Sequence, residues 1–359
     1  MWNILDFRVI FHYEQEKVVV MALLNVQNLS IRFRSGGRML PVVDRISFEV
    51  SRGEILALVG ESGCGKSISC LSLTGLLPSP PAFASADCVE FETGKGERVD
   101  LFRLPPRRLR KIRGGGIAYI FQEPSVSLNP VFRVGDQIAE VLELHRPEVA
   151  DVRSKVIELL KDVGIPAPET RIDAFPHEMS GGMQQRVMIA MALAGNPDLL
   201  VADEPTTALD VTIQAQILEL IDHIRREREM AVILVTHNLG IVAQLADHVA
   251  VMYAGNIVEY ATARELVEQP KHPYTLALLR AVPHLGGESG RLSTIPGHVP
   301  PPEHFPAGCR FSDRCELCAQ LDPESQRRCR EVPPESRVLS PGHRCACHFA
   351  GDGRRRPQR

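Results

Sequence analysis

One eight-residue run, GESGCGKS at residues 60–67, constrains the fold of this chain more than any other segment. It fits G-x-x-x-x-G-K-[ST] and follows the apolar run 54–59, an order that predicts strand, glycine loop and helix. In such a loop the backbone N–H groups point at phosphate oxygens, and the positive end of the helix dipole adds to the attraction. We therefore expect a nucleotide site, with Lys66 on the β- and γ-phosphates and Ser67 on Mg²⁺. A glycine-rich turn without a ligand is the alternative that the run alone leaves open.

A second apolar run, LLVA at 199–202, ends in two carboxylates, Asp203 and Glu204. Read as a buried parallel strand, it places both acids at the carboxyl edge of a sheet, where ligands bind in open α/β folds. Asp203 is a candidate Mg²⁺ ligand, because hard cations take oxygen ligands. Glu204 is a candidate to polarise the water that attacks the γ-phosphate. One acid after a strand is often a helix N-cap, but two acids followed by Pro205 make that alternative weak.

Four more motifs complete an ordered set. They are Gln122 in YIFQEP, the segment SGGMQQ at 180–185, the tripeptide ALD that ends at Asp210, and His237 after the apolar run 232–236. In this order and spacing the set resembles the nucleotide-binding subunits of ABC transporters, and the resemblance covers about residues 24–349. It implies an α/β fold of the P-loop NTPase class, with a RecA-like parallel sheet core, an antiparallel β region, a helical subdomain and a small Cys-rich C-terminal extension.

The resemblance also implies a role for each motif. Glu204, His237 and Gln122 would be catalytic, and Ser67, Gln122 and Asp203 would hold Mg²⁺. Ser180, Gly181 and Gly182 would cap the γ-phosphate that is bound to the P-loop of a second, facing subunit, and Asp210 would lie at that interface. Phe33 would stack on adenine, although an aromatic on an early strand is as often part of the core. The nucleotide-binding set is Phe33, Gly60, Glu61, Ser62, Gly63, Cys64, Gly65, Lys66, Ser67, Gln122, Ser180, Gly181, Gly182, Asp203 and Asp210.

Composition excludes several other classes of protein. A hydrophobic fraction of 44% and a formal net charge of −3 give little electrostatic drive toward nucleic acid or anionic lipid, so we expect no nucleic-acid partner. The basic stretch 103–113 is more often a solvated face than a binding site. No stretch reaches the roughly 18–20 apolar residues of a membrane span, so a membrane role must come through partners. The start of the chain also lacks the pattern of a secretory signal.

The domain organisation that we predict has four parts. Residues 1–21 are a leader, either disordered or a mis-called start, and residues 22–265 are the nucleotide-binding domain. Within that domain, about 123–194 form the helical subdomain, and 248–256 read as a terminal strand and turn. Residues 266–350 form a C-terminal region of the oligopeptide/dipeptide type, and 351–359 are a basic tail.

The C-terminal region carries six of the nine cysteines, a clustering that suggests a metal rather than disulfides. The stretch 269–279, with its HPYT, resembles the segment after the cassette in oligopeptide/dipeptide importers. The cysteine pattern of that group aligns with Cys309, Cys315, Cys329 and Cys347 and implies a 4Fe–4S cluster, and four thiolates would also suit Zn²⁺. A longer gap before Cys329 and the extra Cys318 and Cys345 leave open which four ligate, and free thiols remain an alternative.

The resulting hypothesis is the ATPase subunit of a peptide importer, powered by closure of two such subunits on two ATP molecules. Its partners would be a related but different ATPase chain, two transmembrane permeases and, indirectly, an extracytoplasmic solute-binding protein. The chain would lie at the cytoplasmic face of the inner membrane as a peripheral subunit. The alternatives are a cassette of the same subgroup that serves nickel or another small solute, and a non-transport ABC ATPase.

Overall fold

The computed structural model describes residues 21–207, 209–281 and 295–351; the leader, Ala208 of the ALD motif and the basic tail from 352 lie outside them. The strands, in chain order, are β1 (Leu24–Ser35), β2 (Arg38–Val50), β3 (Ile55–Val59), β4 (Ala82–Ser85), β5 (Cys88–Glu92), β6 (Arg98–Asp100), β7 (Ile117–Ile120), β8 (Leu199–Asp203), β9 (Ala231–Thr236), β10 (His248–Tyr253), β11 (Asn256–Thr262), β12 (Arg337–Ser340) and β13 (His343–Cys345). The helices are α1 (Lys66–Leu73), α2 (Pro106–Ile112), α3 (Pro124–Ser127), α4 (Val134–His145), α5 (Val152–Asp162), α6 (Pro168–Arg171), α7 (Gly181–Ala194), α8 (Val211–Arg228), α9 (Leu239–Leu245), α10 (Ala263–Glu268), α11 (Pro273–Arg280), α12 (Glu316–Ala319) and α13 (Pro323–Glu331).

The central sheet has the order β12-β13-β11-β10-β3-β9-β8-β7 within the described residues. The five strands from β10 to β7 are parallel, and β3 and β9 are buried along their whole length. Continuous apolar runs form these strands because helices and the second sheet cover both faces. The parallel core therefore brings the ends of β3, β7, β8 and β9 to one edge.

The other side of the central sheet differs from the terminal strand that we expected at 248–256. β10 is not an edge strand, since β11 turns back beside it and β13 then pairs with β11 at Glu259↔Cys345. The predicted strand and turn are present at 248–256, but the strand is not terminal, because β11 follows and pairs with it and β13 and β12 extend the sheet further. The C-terminal extension is consequently part of the same sheet as the P-loop strand.

The antiparallel sheet has the order β2-β1-β5-β6, with β4 paired to β1. This sheet is the antiparallel β region that the resemblance implies; β1 and β2 form a long hairpin, and β4 to β6 lie farther along the chain, between α1 and α2. The buried faces of this sheet pack with one face of the parallel core into a common hydrophobic cluster that includes Leu29, Phe48 and Leu58. This packing fixes the hairpin over the P-loop side of the core.

Helices α3 to α7 form the helical region expected between 123 and 194, and their apolar faces share a second cluster with β8 and β9. The three longest helices of this region are α4, α5 and α7. No helix among the described residues is both long and apolar enough to cross a bilayer. The α/β P-loop fold class is confirmed.

Candidate functional site

The P-loop joins β3 to α1 and closes around the Lys66 ammonium. Lys66 is 5% exposed, and its Nζ donates to the carbonyl oxygens of Gly60 at 2.7 Å and Glu61 at 3.1 Å. Gly65 precedes the helix with φ +105°, where a side chain would be strained and its Cβ would lie 2.9 Å from Val43. The loop thus holds the Lys66 ammonium against two of its own carbonyl oxygens.

Two oxygen donors meet at the start of α1. Ser67 Oγ donates a hydrogen bond to Asp203 Oδ1 at 3.0 Å, which joins the P-loop to the end of β8. Burial raises the pKa of Asp203, so the carboxylate gains from a cation placed beside it. A hydroxyl and a carboxylate at this separation fit Mg²⁺, which takes oxygen ligands and keeps several waters.

Glu204 lies at the centre of a hydrogen-bond network. Its Oε2 accepts from Thr207 Oγ1 at 2.9 Å and from Gln122 Nε2 at 3.4 Å, and its Oε1 lies 3.2 Å from His237 Nδ1. Burial opposes ionisation, but the hydrogen bonds from Thr207 and His237 outweigh it and lower the pKa of Glu204. The backbone of Glu204 has φ +46°, an uncommon conformation for a non-glycine residue at a functional position. The carboxylate is therefore ionised, oriented and able to accept a proton.

Three of the predicted residues, Gln122, Glu204 and His237, are thus brought together, and Ser67 and Asp203 meet at the neighbouring strand end. Thr207 was missed, because a threonine three residues after a glutamate carries no signal by itself. It lies in a turn where the Thr207 N–H also donates to the Glu204 carbonyl. Thr207 could have been recognised from the sequence only if the turn that follows Glu204 had been known.

The SGG segment begins the helical region's longest helix. Ser180 is exposed and caps α7, accepting from the backbone N–H of Met183 at 3.4 Å. Asp210, also exposed, caps α8 by accepting from Ile213 N at 2.9 Å. Both residues have local capping roles within the chain, and their predicted contacts with a facing subunit stay predictions.

Phe33 is half-buried near the end of β1, opposite Leu40 and Ala82 on the two neighbouring strands. It packs against the hydrophobic cluster below the antiparallel sheet. Phe33 therefore packs at the edge of the hydrophobic core, and its stacking on adenine stays a prediction.

Five cysteines of the C-terminal extension line one small cavity of about 20 Å³ together with His272: Cys309, Cys315, Cys318, Cys329 and Cys347. Cys345 is fully buried on β13 and is not among the lining residues. All nine cysteines are free thiols, and burial raises the pKa of Cys309 to about 11 and that of Cys315 to about 12.

The residues that line this cavity have the donor chemistry of a metal site. Soft thiol donors with no carboxylate among the lining residues suit a thiolate-ligated metal or cluster. As the side chains stand, no group of three or more Cys, His, Asp or Glu residues within the described ranges is arranged to hold a metal ion. The donor chemistry of the lining therefore fits a thiolate-bound group, although the side chains as placed do not form a metal site within the described residues.

Two side chains that the sequence analysis did not assign reach the P-loop from the extension. Arg314 forms an ion pair with Glu61, and the Tyr274 hydroxyl accepts the N–H of Glu61. Tyr274 belongs to the HPYT stretch, which had been used only to indicate a subgroup. Nothing local in the sequence marks Arg314.

Comparisons with known proteins point the same way as this geometry. A family model described as "ABC transporter" matches residues 43–207, and one described as "Oligopeptide/dipeptide transporter, C-terminal region" matches 258–320. The chain is similar to the dipeptide transport ATP-binding protein DppD of Haemophilus influenzae, with 48% identity over 85% of this chain and 92% of that protein. For DppD of Escherichia coli strain K12 the identity is 45%, over 94% and 99%.

Solved structures agree on the fold. The chain is similar to cbiO1 of Clostridium perfringens, part of the ABC transporter complex cbiONQ, with a TM-score of 0.55 and 26% identity over 69% of this chain and 91% of that one. It is also similar to an ATP-binding cassette solved as a dimer in a post-hydrolysis state with ADP and Pi, with a TM-score of 0.58 over 67% of this chain and 99% of that one. At 24% identity the second likeness bears on the fold alone.

Proposed function

Because this chain belongs to the ATP-binding proteins of ABC transporters, within the oligopeptide/dipeptide transporter family, we propose that it hydrolyses ATP to power the import of short peptides. One observation carries the proposal: the general-base network of Glu204 lies beside the Ser67–Asp203 pair at the edge where the P-loop begins. The relatives are named for dipeptide transport, which favours peptides over nickel or a non-transport role.

We propose the following division of labour in the ATP site. Lys66 extends from the loop to the β- and γ-phosphate oxygens, and Ser67 and Asp203 hold Mg²⁺. When bound, Mg²⁺ neutralises charge that develops on the phosphates. Gln122 orients the attacking water, and Glu204 accepts its proton as the water oxygen bonds to phosphorus and the bond to ADP breaks.

In this scheme His237 contacts both the general base and the γ-phosphate. Its Nδ1 contacts Glu204, and its second ring nitrogen, Nε2, would contact the γ-phosphate, since the side chain is 67% exposed. The histidine therefore couples the position of the base to the presence of the phosphate that is attacked.

The second ATPase chain would complete the site. Ser180 and the backbone N–H groups of Gly181 and Gly182, exposed at the start of α7, would cap the γ-phosphate on the facing subunit. Asp210 would lie at the same interface, and Phe33 would contact adenine. We propose a related but different partner chain, two permease subunits and, through them, a solute-binding protein.

Closure of the pair on ATP would be transmitted to the permeases, because the γ-phosphate favours the closed over the open arrangement. For this transmission the chain would lie at the cytoplasmic face of the inner membrane as a peripheral subunit. We also propose that the chain is divided into a nucleotide-binding domain at 22–265 and a C-terminal region at 266–350.

We propose that the cysteine cavity of the extension holds a 4Fe–4S cluster, with Cys309, Cys315, Cys329 and Cys347 as thiolate ligands. Cys318, which also lines the cavity, is the first alternative ligand, and Cys345, which does not line it, is the second. Zn²⁺ is the competing occupant, because four thiolates suit it equally in charge.

The function is tested by deleting the gene for this chain in its host and measuring ATP-dependent uptake of a labelled dipeptide and of labelled nickel. We expect dipeptide uptake to fall to background and nickel uptake to remain. The wild-type gene should restore uptake, and Lys66→Ala should not, because it removes the phosphate-binding ammonium. Unchanged dipeptide uptake in the deletion strain would contradict the proposal.

A further inference from the structure

The second residue of the P-loop, Glu61, forms an ion pair with an arginine of the C-terminal extension, Arg314. Arg314 Nη1 and Nη2 donate to Glu61 Oε1 and Oε2, each at 3.0 Å, across a sequence separation of 253 residues. The Arg314 side chain is only 8% exposed. A planar, paired contact of this kind fixes orientation as well as distance, and because it is partly buried, salt screens it less than an exposed pair.

The backbone of Glu61 is held as firmly as its side chain. Its N–H donates to the Tyr274 hydroxyl at 2.9 Å, and its carbonyl accepts from Lys66 Nζ at 3.1 Å. Tyr274 is fully buried, with its ring against those of Tyr253 and Phe311. A displacement of Glu61 would therefore also displace the ammonium group that binds the nucleotide phosphates.

Each of the two residues that hold Glu61 lies within two sequence positions of a residue that lines the cysteine cavity. Arg314 directly precedes Cys315, and Tyr274 follows His272 by two residues; Cys315 and His272 both line the cavity. His272 Nδ1 accepts the N–H of Tyr274 at 3.1 Å, which fixes the start of α11. The same segments that enclose the cavity thus carry the contacts to the P-loop.

A second connection runs beside the first. Arg310, next to Cys309, donates to the carbonyl of Ala254 and pairs with Asp44 at 3.1 Å. The residue after Ala254, Gly255, donates its N–H to the carbonyl of Cys64 in the P-loop at 2.9 Å. The extension therefore braces the loop at two of its residues.

We propose that Arg314 and Tyr274 are positioning residues of the ATP site, which hold Glu61 and thereby Lys66 so that the cysteine-lined extension sets the affinity of the P-loop for nucleotide. The inference rests on the proposed ATPase function and adds to it a pair of residues outside the P-loop. If the contacts only fastened the extension to the cassette, their loss would lower stability and leave nucleotide affinity unchanged.

The test measures equilibrium binding of MgATP, and the KM and kcat of hydrolysis, on the full-length chain. Arg314→Gln is expected to weaken binding about tenfold and to raise KM in parallel, with kcat within about twofold, because coupling through one packed contact is typically a factor of 2 to 30. Tyr274→Phe, which removes only a hydroxyl, is expected to weaken binding about threefold. Arg314→Lys is expected not to restore affinity, since one ammonium cannot make the paired contact.

The matched control is Arg264→Gln, which breaks an exposed ion pair with Glu268 in α10 and is expected to bind MgATP like the wild type. A double-mutant cycle with Glu61→Gln identifies the route: if Arg314 acts through Glu61, the double variant binds no more weakly than the weaker single variant. Multiplied losses in the double variant would overturn the inference.

The outcomes separate the inference from the function on which it rests. A wild-type chain that fails to bind MgATP would refute the ATPase proposal and, with it, this inference. Wild-type binding together with unchanged affinity in Arg314→Gln and Tyr274→Phe would refute the inference alone. A lower melting temperature without a change in affinity would count as the second result, because it shows a purely structural contact.

Discussion

His237 Nδ1 lies 3.2 Å from Glu204 Oε1, although 33 positions separate the two residues in the sequence. Each follows the last residue of a neighbouring parallel strand, β8 or β9, so the register of the sheet brings the pair together. The opposite carboxylate oxygen accepts from Thr207, and the base is held from two sides. The orientation and the acidity of Glu204 thus depend on side chains that do not themselves react.

Thr207→Val tests how the acidity of Glu204 is set. The change removes a hydrogen bond that lowers the pKa of Glu204, so that pKa should rise. A general base must be deprotonated, and the acidic limb of the kcat–pH profile should consequently move to higher pH. The control Thr170→Val alters an exposed threonine and should leave the profile in place. An unmoved acidic limb in Thr207→Val would contradict this account of the base.

The signature segment is tested with Ser180→Arg. Ser180 is exposed and distant in sequence from the P-loop, so the variant should bind ATP normally, while its bulk should prevent closure on a facing subunit and reduce hydrolysis at least tenfold. The variant also loses an N-cap worth about 1 kcal/mol. Thr262→Ala, which removes the cap of α10, is the matched control and should keep its activity. ATP hydrolysis at the wild-type rate in Ser180→Arg would rule out the facing-subunit role.

The pair Glu54–His248 predicts a window of pH-dependent stability. The hydrogen bond to Glu54 raises the pKa of His248. Burial opposes ionisation of Glu54, but the hydrogen bonds from His248 and Ser51 together outweigh it and lower the pKa of Glu54. The stabilisation by His248 is complete below its unfolded pKa near 6.5 and is lost as pH rises through the folded value. The stabilisation by Glu54 is present above about pH 4.5 and is lost as pH falls through its folded value.

The measurement is the free energy of unfolding of wild type and His248→Ala from pH 4 to 9. The difference should be roughly 1–2 kcal/mol between about pH 5 and 6.5 and should shrink at higher pH. His223→Ala, which breaks an exposed pair with Glu227, should show a small difference without this profile. A difference for His248→Ala that grows above pH 7 would have the wrong sign.

The cysteine cavity predicts which thiols matter for a bound metal. Iron, sulfide and zinc are measured on protein purified without oxygen, and about four iron and four sulfide per chain are expected. Cys309→Ser should lose the metal, whereas Cys345→Ser and Cys88→Ser should keep it, because neither of those thiols lines the cavity. Metal lost on Cys345→Ser but kept on Cys309→Ser would contradict the assignment of ligands.

The parallel core and its catalytic edge could be predicted because their signals are local. β3, β8 and β9 are continuous apolar runs, and the residues that follow them carry the chemistry. The short strands β4 to β6 could not be predicted, since they sit beside β1 as brief, partly exposed segments among prolines and glycines. Their pairing depends on a partner strand more than on their own pattern.

The contacts between the extension and the cassette could not be predicted from the sequence for a different reason. The residues around Arg314 do not indicate whether its side chain faces solvent or pairs with a glutamate 253 positions away. The pairing of β13 with β11 is likewise a long-range event between a three-residue strand and a seven-residue one. The sequence also left open which four of the six cysteines ligate, and the fold separates Cys345 from the five that line one cavity.

The most direct test of the central claim compares ATP hydrolysis and ATP binding in the wild type and in Glu204→Gln. The amide keeps the size of the carboxylate but cannot accept a proton, so hydrolysis should fall at least about 10²-fold while MgATP binding persists and the closed pair accumulates. Glu268→Gln, an exposed glutamate of α10, should retain the wild-type rate. Loss of turnover with retained binding is the result that this account predicts, and hydrolysis by Glu204→Gln at the wild-type rate would contradict it.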